Sequence, residues 1–215
     1  MVCFHAAYDA AYLYGIDMPW FAGTLFQTIW RASISWVFLL LAGWMTSFSH
    51  SNLRRGAVYA AAAAAVWAAT SIASIDTAIT FGILFCMAAS TLLYATARPV
   101  LDRVPPAAGL AVFLIAFALT LGVPQTRYAF GGLAWLGFPG PGFSSGDYYP
   151  MIPYTFLYLA GAMAARLFSR LRASGYPAWM ERDLIPPLTA LGKHSLIVYL
   201  VHQPLLIVLF DLLTG

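Results

Sequence analysis

A chain of 215 residues with a formal charge of +3 is 61% hydrophobic, and charged residues make up only 9% of it. Soluble domains average about half apolar and about a quarter charged. Eleven basic and eight acidic side chains cannot cover a water-exposed surface of this size, so a soluble globular domain is excluded and a bilayer is the expected solvent. The aromatic share of 16% agrees with this, since Trp and Tyr collect at membrane interfaces. The basic residues form no clustered arm, which argues against a nucleic-acid partner. Cys3 and Cys86 fall in apolar runs with no CxxC or Cys/His ligand spacing. Both are read as buried thiols, with neither a disulfide nor a metal site.

A helix needs about 20 apolar residues to cross the roughly 30 Å hydrocarbon core. The first apolar segment, 1–15, is short: at about 1.5 Å per residue it reaches about 22 Å. It opens as Met-Val-Cys-Phe-His, without a cap, a basic leader or a cleavage site. The expectation is that the front half of helix one lies upstream of this chain. Full-length candidates follow at 24–46, 56–74, 78–97, 106–123, 151–168 and 188–213. The Ala-rich stretch inside 56–74 suits a span packed tightly between neighbours, where small side chains let backbones approach. No period-2 pattern supports a barrel.

Cations sort onto alternate connections. Arg54 and Arg55, Arg98 and Arg103, and Arg166, Arg170, Arg172, Arg182 and Lys193 mark one set, nine of the eleven basic residues. The other set, near Asp17, Asp76 and 124–149, holds only Arg127. By the positive-inside rule the first set is cytosolic. The expected fold is all-α: a polytopic transmembrane helix bundle of about seven spans, the first short or truncated, N-in and C-out, forming a single domain over 1–215. The long outer loop 124–149 carries Gly131-Gly132, Trp135 and Phe-Pro-Gly-Pro-Gly-Phe at 138–143. It reads as an interfacial hairpin or a functional loop.

Ionisable residues at bilayer depth are expensive and are functional hypotheses by default. His5 and Asp9 share one helix face, so Asp9 can orient His5 as a general base; the alternative is a structural polar pair. Ser195, Tyr199 and His202 form one stripe on the last span, with His194 before it and Gln203-Pro204 after it. Pro204 frees a carbonyl one turn earlier. The stripe either lines a cavity or bonds neighbouring helices. Asp147 either caps the sixth span or, with Tyr148, meets a polar acceptor. Arg31 inside the second span either snorkels outward or pairs with Asp9. Arg54, Arg55 and Arg98 serve topology and anionic lipid, or dock a phosphorylated donor.

Five strings together resemble the bacterial relatives of heparan-alpha-glucosaminide N-acetyltransferase, within the integral-membrane acyltransferases. They are Phe4-His5-x-x-Tyr8-Asp9, Trp36-Val-Phe-Leu-x-Leu-Ala-Gly43, Phe81-Gly-Ile-Leu84, Asp147-Tyr-Tyr-Pro-Met-Ile-Pro153 and, most specific, Leu191-Gly-Lys-His-Ser-Leu-Ile-Val-Tyr-Leu-Val-His-Gln-Pro204. The resemblance implies a multi-pass protein of the bacterial inner membrane that moves an acetyl group from cytosolic acetyl-CoA to an extracytoplasmic sugar or glycan. It carries the family's first-span histidine onto His5. Two departures stand out: the family's Asp-x-x-Arg-Gly stretch before that histidine is absent, and Phe85 replaces a histidine that often follows Phe-Gly-Ile-Leu.

The leading expectation is therefore a membrane O- or N-acetyltransferase. His5, Asp9 and His202 are its catalytic candidates. Asp147, Tyr148, Tyr199, Gln203 and Arg31 would meet the acceptor. Arg54, Arg55, Arg98, His194 and Ser195 would meet acyl-CoA, the donor, with no metal. Membrane lipids are expected partners, and a homo-oligomer is left open. The alternatives are a proton-coupled transporter or flippase of a polar or lipid-linked solute, and a scaffold whose polar groups are all paired.

Overall fold

A computed structural model describes residues 1–73, 77–172 and 175–214; Ser74, the last residue of the second full-length segment, and Asp76 lie outside the described residues. In chain order the helices are α1 Val2–Tyr8, α2 Leu25–Trp44, α3 Asn52–Ala73, α4 Ile83–Leu101, α5 Pro106–Thr120, α6 Met151–Leu171, α7 Ala178–Glu181, α8 Pro186–Lys193 and α9 Ser195–Thr214. The described residues form no extended strand; Leu133 and Phe138 make one isolated bridge. Among the described residues, six segments are long and apolar enough to cross a membrane: Leu25–Phe48, Asn52–Ala73, Ile83–Leu101, Pro106–Gln125, Met151–Leu171 and Ser195–Thr214.

Several ends differ from the sequence reading: the second full-length segment begins at Asn52, and the third and fifth run on to Leu101 and Leu171. Two of the differences have a local reason. The third full-length segment, expected from residue 78, becomes helical only at Ile83. The residues before it bond instead to the strip leading into α6: Thr80 N–H donates to Ser145 Oγ, Gly146 N–H to the Ala78 carbonyl and Tyr149 N–H to the Phe81 carbonyl. The last segment, expected unbroken from 188, divides at His194 into α8 and α9. Gly192 sits just before that break, where it weakens the helix by about 1 kcal/mol relative to Ala.

The chain divides into two compact units, one of residues 1–35 with 176–215 and the other of residues 36–175. In the first unit, α1 runs directly into a π-helical turn, Asp9–Leu13. The run stops at Gly15, whose φ of +65° is a conformation glycine adopts without strain. Phe4, Ala7 and Phe21 form a small core, flanked by Trp30 and Ile34. Cys3, expected to be buried, is exposed, because a seven-residue helix buries one stripe and Phe4 and Ala7 occupy it. Cys86 is buried as expected, and both thiols are free.

In the second unit α3 packs along α4, α5 along α6, and α4 against α6. The end of α2 and the middle of α6 meet backbone to backbone. A Cβ on Gly43 would overlap the Tyr158 carbonyl, and one on Gly161 would overlap the Leu40 carbonyl. Between α4 and α6 runs a buried hydroxyl ladder, Ser90 Oγ to Thr155 Oγ1 at 2.9 Å and Thr91 Oγ1 to Tyr158 Oη at 2.7 Å. Such pairs hold helices together where lipid removes any hydrophobic drive between them.

Candidate active site

Two chain segments almost 200 residues apart meet in the first unit. The π turn begins at Asp9, and such turns widen a helix and re-aim its side chains. Asp9 is fully buried. Its carboxylate accepts from Gln203 Nε2 through both oxygens, at 2.8 and 3.0 Å. One turn earlier, the half-buried His5 ring lies against the His202 ring, with centroids 4.8 Å apart. Four of the expected residues, His5, Asp9, His202 and Gln203, are thus brought together by α1, its π turn and α9. The carboxamide of Gln203 bonds the Asp9 carboxylate, a pairing that helix spacing within α1 could not reveal.

The bonding of the two α9 side chains sets their chemistry. His202 is only 6% exposed. Its Nδ1 lies 2.6 Å from the Tyr199 carbonyl. A carbonyl only accepts, so Nδ1 carries the proton and Nε2 of the neutral ring presents a lone pair. That Nε2 is buried without a hydrogen-bond partner among the described residues, and so is Gln203 Oε1. Donation to Asp9 fixes which end of the Gln203 carboxamide turns away from the carboxylate. Pro204, which lacks an N–H, loosens the same stretch of α9. The cluster therefore presents two acceptors that no donor among the described residues fills, and leaving such groups unmet when buried costs about 1–3 kcal/mol each.

A second tie fixes the two segments nearer their other ends. Tyr14 Oη donates to Asp211 Oδ1 at 2.6 Å and its ring stacks on Phe210 at 4.9 Å.

The remaining expected residues are placed differently. Arg31 is exposed on α2, and the Asp9 carboxylate is buried against Gln203. His194 and Ser195 are both exposed at the α8–α9 break, so on this stripe only His202 is buried, with Tyr199 contributing its backbone carbonyl. In the second unit, Asp147 Oδ2 accepts from Ile83 N–H at 3.3 Å. It thus serves the start of α4, whereas α6 has no side-chain cap. Tyr148 Oη donates to the Ala134 carbonyl at 2.6 Å and pins the loop. Burial pushes its phenol up to about 12, so it remains a donor at neutral pH. Arg54 is exposed. Arg55 bonds to the Ala42 carbonyl and to Tyr59 Oη, and its guanidinium lies over the Tyr59 ring at 5.3 Å. Arg98 lies beside Asp102, its Nε 3.5 Å from Oδ2. Phe85 packs on Phe81 at 4.9 Å. Among the described residues no three His, Cys, Asp or Glu side chains form a metal-binding group.

Sequence reasoning missed the hydroxyl ladder and the part played by Arg166, whose Nη1 donates to the Leu101 carbonyl at 2.6 Å. The signal for the ladder was present as Ser90-Thr91 and Thr155 inside otherwise apolar spans.

Comparison with known proteins gives one match. Residues 1–204 fit the family model described as heparan-alpha-glucosaminide N-acetyltransferase, catalytic. No curated protein and no solved structure matches the chain. The match takes in His5 in α1, Asp9 in the π turn, and Gln203 and Pro204 in α9, and six helices of membrane-crossing length lie within or across it. The chain belongs to the heparan-alpha-glucosaminide N-acetyltransferase catalytic family and is a multi-pass membrane acetyltransferase.

Proposed function

We propose that the protein transfers acetyl from cytosolic acetyl-CoA to the amino group of an extracytoplasmic sugar or glycan, in the inner membrane of a bacterium, with His5, Asp9, His202 and Gln203 as the reacting cluster. The observation that carries this reading is the pair of buried, unfilled acceptors beside His5, the Nε2 of His202 and the Oε1 of Gln203. A ligand that satisfies them must bring donors. An amine supplies two N–H groups and a hydroxyl one O–H, so the cluster favours N-acylation over O-acylation.

In this mechanism His202 and Gln203 hold the amine hydrogens and turn the nitrogen lone pair toward the acetyl carbonyl. Attack forms the C–N bond and breaks the C–S bond. His5, or His202 through Nε2, takes the proton lost by nitrogen, and the thiolate leaves. General-base assistance of this kind contributes about 10²–10⁴ in rate. Asp9 acts through Gln203, fixing the carboxamide so that Oε1 faces the ligand. Arg54, Arg55 and Arg98 supply the charge that attracts the donor's phosphates.

The test uses purified protein in detergent with radiolabelled acetyl-CoA and two acceptors, an amino sugar and the matching sugar with a hydroxyl in place of the amine. Label on the amino sugar at a rate at least about tenfold higher supports the reading, since a buried acceptor left without its donor weakens binding by that order. Equal labelling of both, or a preference for the hydroxyl sugar, overturns the amine assignment.

A further inference from the structure

At the arginine-bearing ends of α2, α4 and α6, within the second unit, lies a cavity of about 240 Å³. Thr46, Ser47 and Ser49 line it from the turn after α2, Tyr94 and Arg98 from α4, and Arg166 from α6, with Asp102 completing the wall. Its volume equals that of several waters, at about 30 Å³ each, which is room for a phosphate and part of what it esterifies.

The charges in the wall do not cancel. Asp102 Oδ2 lies 3.5 Å from Arg98 Nε, and its Oδ1 lies 3.8 Å from Arg166 Nη2. One carboxylate is therefore shared by two guanidinium groups, leaving one positive charge over. Arg166 is held firmly, with Nη1 on the Leu101 carbonyl at 2.6 Å and Nη2 on the Asp102 carbonyl at 3.0 Å. Arg98 approaches Asp102 through Nε, and neither of its Nη groups donates a hydrogen bond to a described residue.

The hydroxyls follow the same pattern. Thr46 and Ser47 donate to the Gly43 and Trp44 carbonyls, at 2.7 and 2.9 Å. Tyr94 is only 5% exposed, yet its hydroxyl bonds to no described residue, and neither does the Ser49 hydroxyl. The lining thus offers Arg98 Nη, Tyr94 Oη and Ser49 Oγ as unfilled donors around a net positive charge. The complementary ligand is a small anion with several acceptor oxygens.

We propose that this cavity binds a phosphate group, carried either by the phosphorylated acyl donor or by an anionic phospholipid headgroup. The donor source rests on the acetyl-CoA reading above; the lipid source does not. Arg98 and Tyr94 make the direct contacts, and Arg166 with Asp102 holds Arg98 in place.

The experiment measures coenzyme A binding to the full chain in detergent. In parallel it measures the melting temperature in nanodiscs of phosphatidylcholine with and without phosphatidylglycerol. Wild type is compared with Arg98→Gln and Tyr94→Phe, and with Arg103→Gln, which removes a nearby charge that does not line the cavity. Loss of about three- to tenfold in coenzyme A affinity in the two cavity variants alone supports the site and the donor source; this is the size expected for one partly exposed charged contact. Unchanged coenzyme A binding, with the phosphatidylglycerol-dependent rise in melting temperature lost in the same two variants alone, supports the site and the lipid source. If neither readout moves, or if Arg103→Gln moves them equally, the site is overturned. If wild type transfers no acetyl group while the lipid response still depends on Arg98 and Tyr94, the donor reading fails and the cavity stands.

Discussion

At the residue scale the account rests on which atoms are already bonded. Gln203 donates to both oxygens of a fully buried carboxylate. Replacing it with Leu leaves Asp9 without that donor while roughly preserving volume. Hydrogen bonds to charged groups are worth about 1.5–3 kcal/mol, so Gln203→Leu is expected to lower the melting temperature clearly, and Asp9→Asn in the same background to recover part of the loss. Differential scanning fluorimetry in detergent checks both. No recovery in the double variant would mean that Gln203 matters for something other than its bond to Asp9. His5 and Asp9 were legible in the sequence as ionisable residues in an apolar segment, and His202-Gln203-Pro204 as a polar break in the last span. Their partners were not. Helix spacing suggested an Asp9–His5 relation and a depth argument suggested Asp9 with Arg31; the bond from Gln203, a side chain 194 positions away, was in neither argument. Only tertiary placement decides among candidates at similar depth.

At the element scale, small and hydroxylated residues determine how helices meet in the second unit. Gly161 faces the Leu40 carbonyl so closely that any side chain would collide with backbone, which cannot move aside as a flexible side chain can. Gly161→Ala is therefore expected to destabilise the protein by more than the few tenths of a kcal/mol typical of a surface change, read as a large fall in melting temperature or in folded yield. Gly142, where a Cβ meets nothing within 4 Å, serves as a control, and Gly142→Ala is expected to leave the melting temperature within about a degree. For the ladder, a double-mutant cycle with Thr91→Val and Tyr158→Phe is expected to give a coupling of about 0.6–1.7 kcal/mol, the range seen for interhelical hydrogen bonds in lipid. A coupling near zero would show that the 2.7 Å contact adds nothing beyond packing. That these elements are helices, six of them long and apolar enough to cross a membrane among the described residues, followed from hydropathy. Several of their ends did not; among them, the residues just before α4 satisfy their backbone groups against the strip 145–149, and the last segment yields at Gly192 and His194.

At the scale of the whole molecule, composition alone fixed the solvent, and six helices long and apolar enough to cross a bilayer agree with it. The distribution of arginines predicts that the ends near Arg54, Arg98 and Arg170 face the cytosol and that loop 124–149 faces away. Single cysteines placed at Ser51 and Ser144, with Cys3 and Cys86 replaced by serine and alanine, test this directly. In intact cells a membrane-impermeant maleimide is expected to label the Ser144 position and not the Ser51 position. The opposite pattern would invert the topology, and with it the sides assigned to donor and acceptor.

The central claim is that the cluster of His5, His202, Asp9 and Gln203 performs acetyl transfer. The most direct measurement is the initial rate of label transfer from radiolabelled acetyl-CoA to an amino sugar, by detergent-purified wild type, His5→Ala and His202→Ala, each first shown to melt at the wild-type temperature. The account predicts transfer by wild type and a fall of about 10²-fold or more in both variants. Wild-type rates in both correctly folded variants would contradict it.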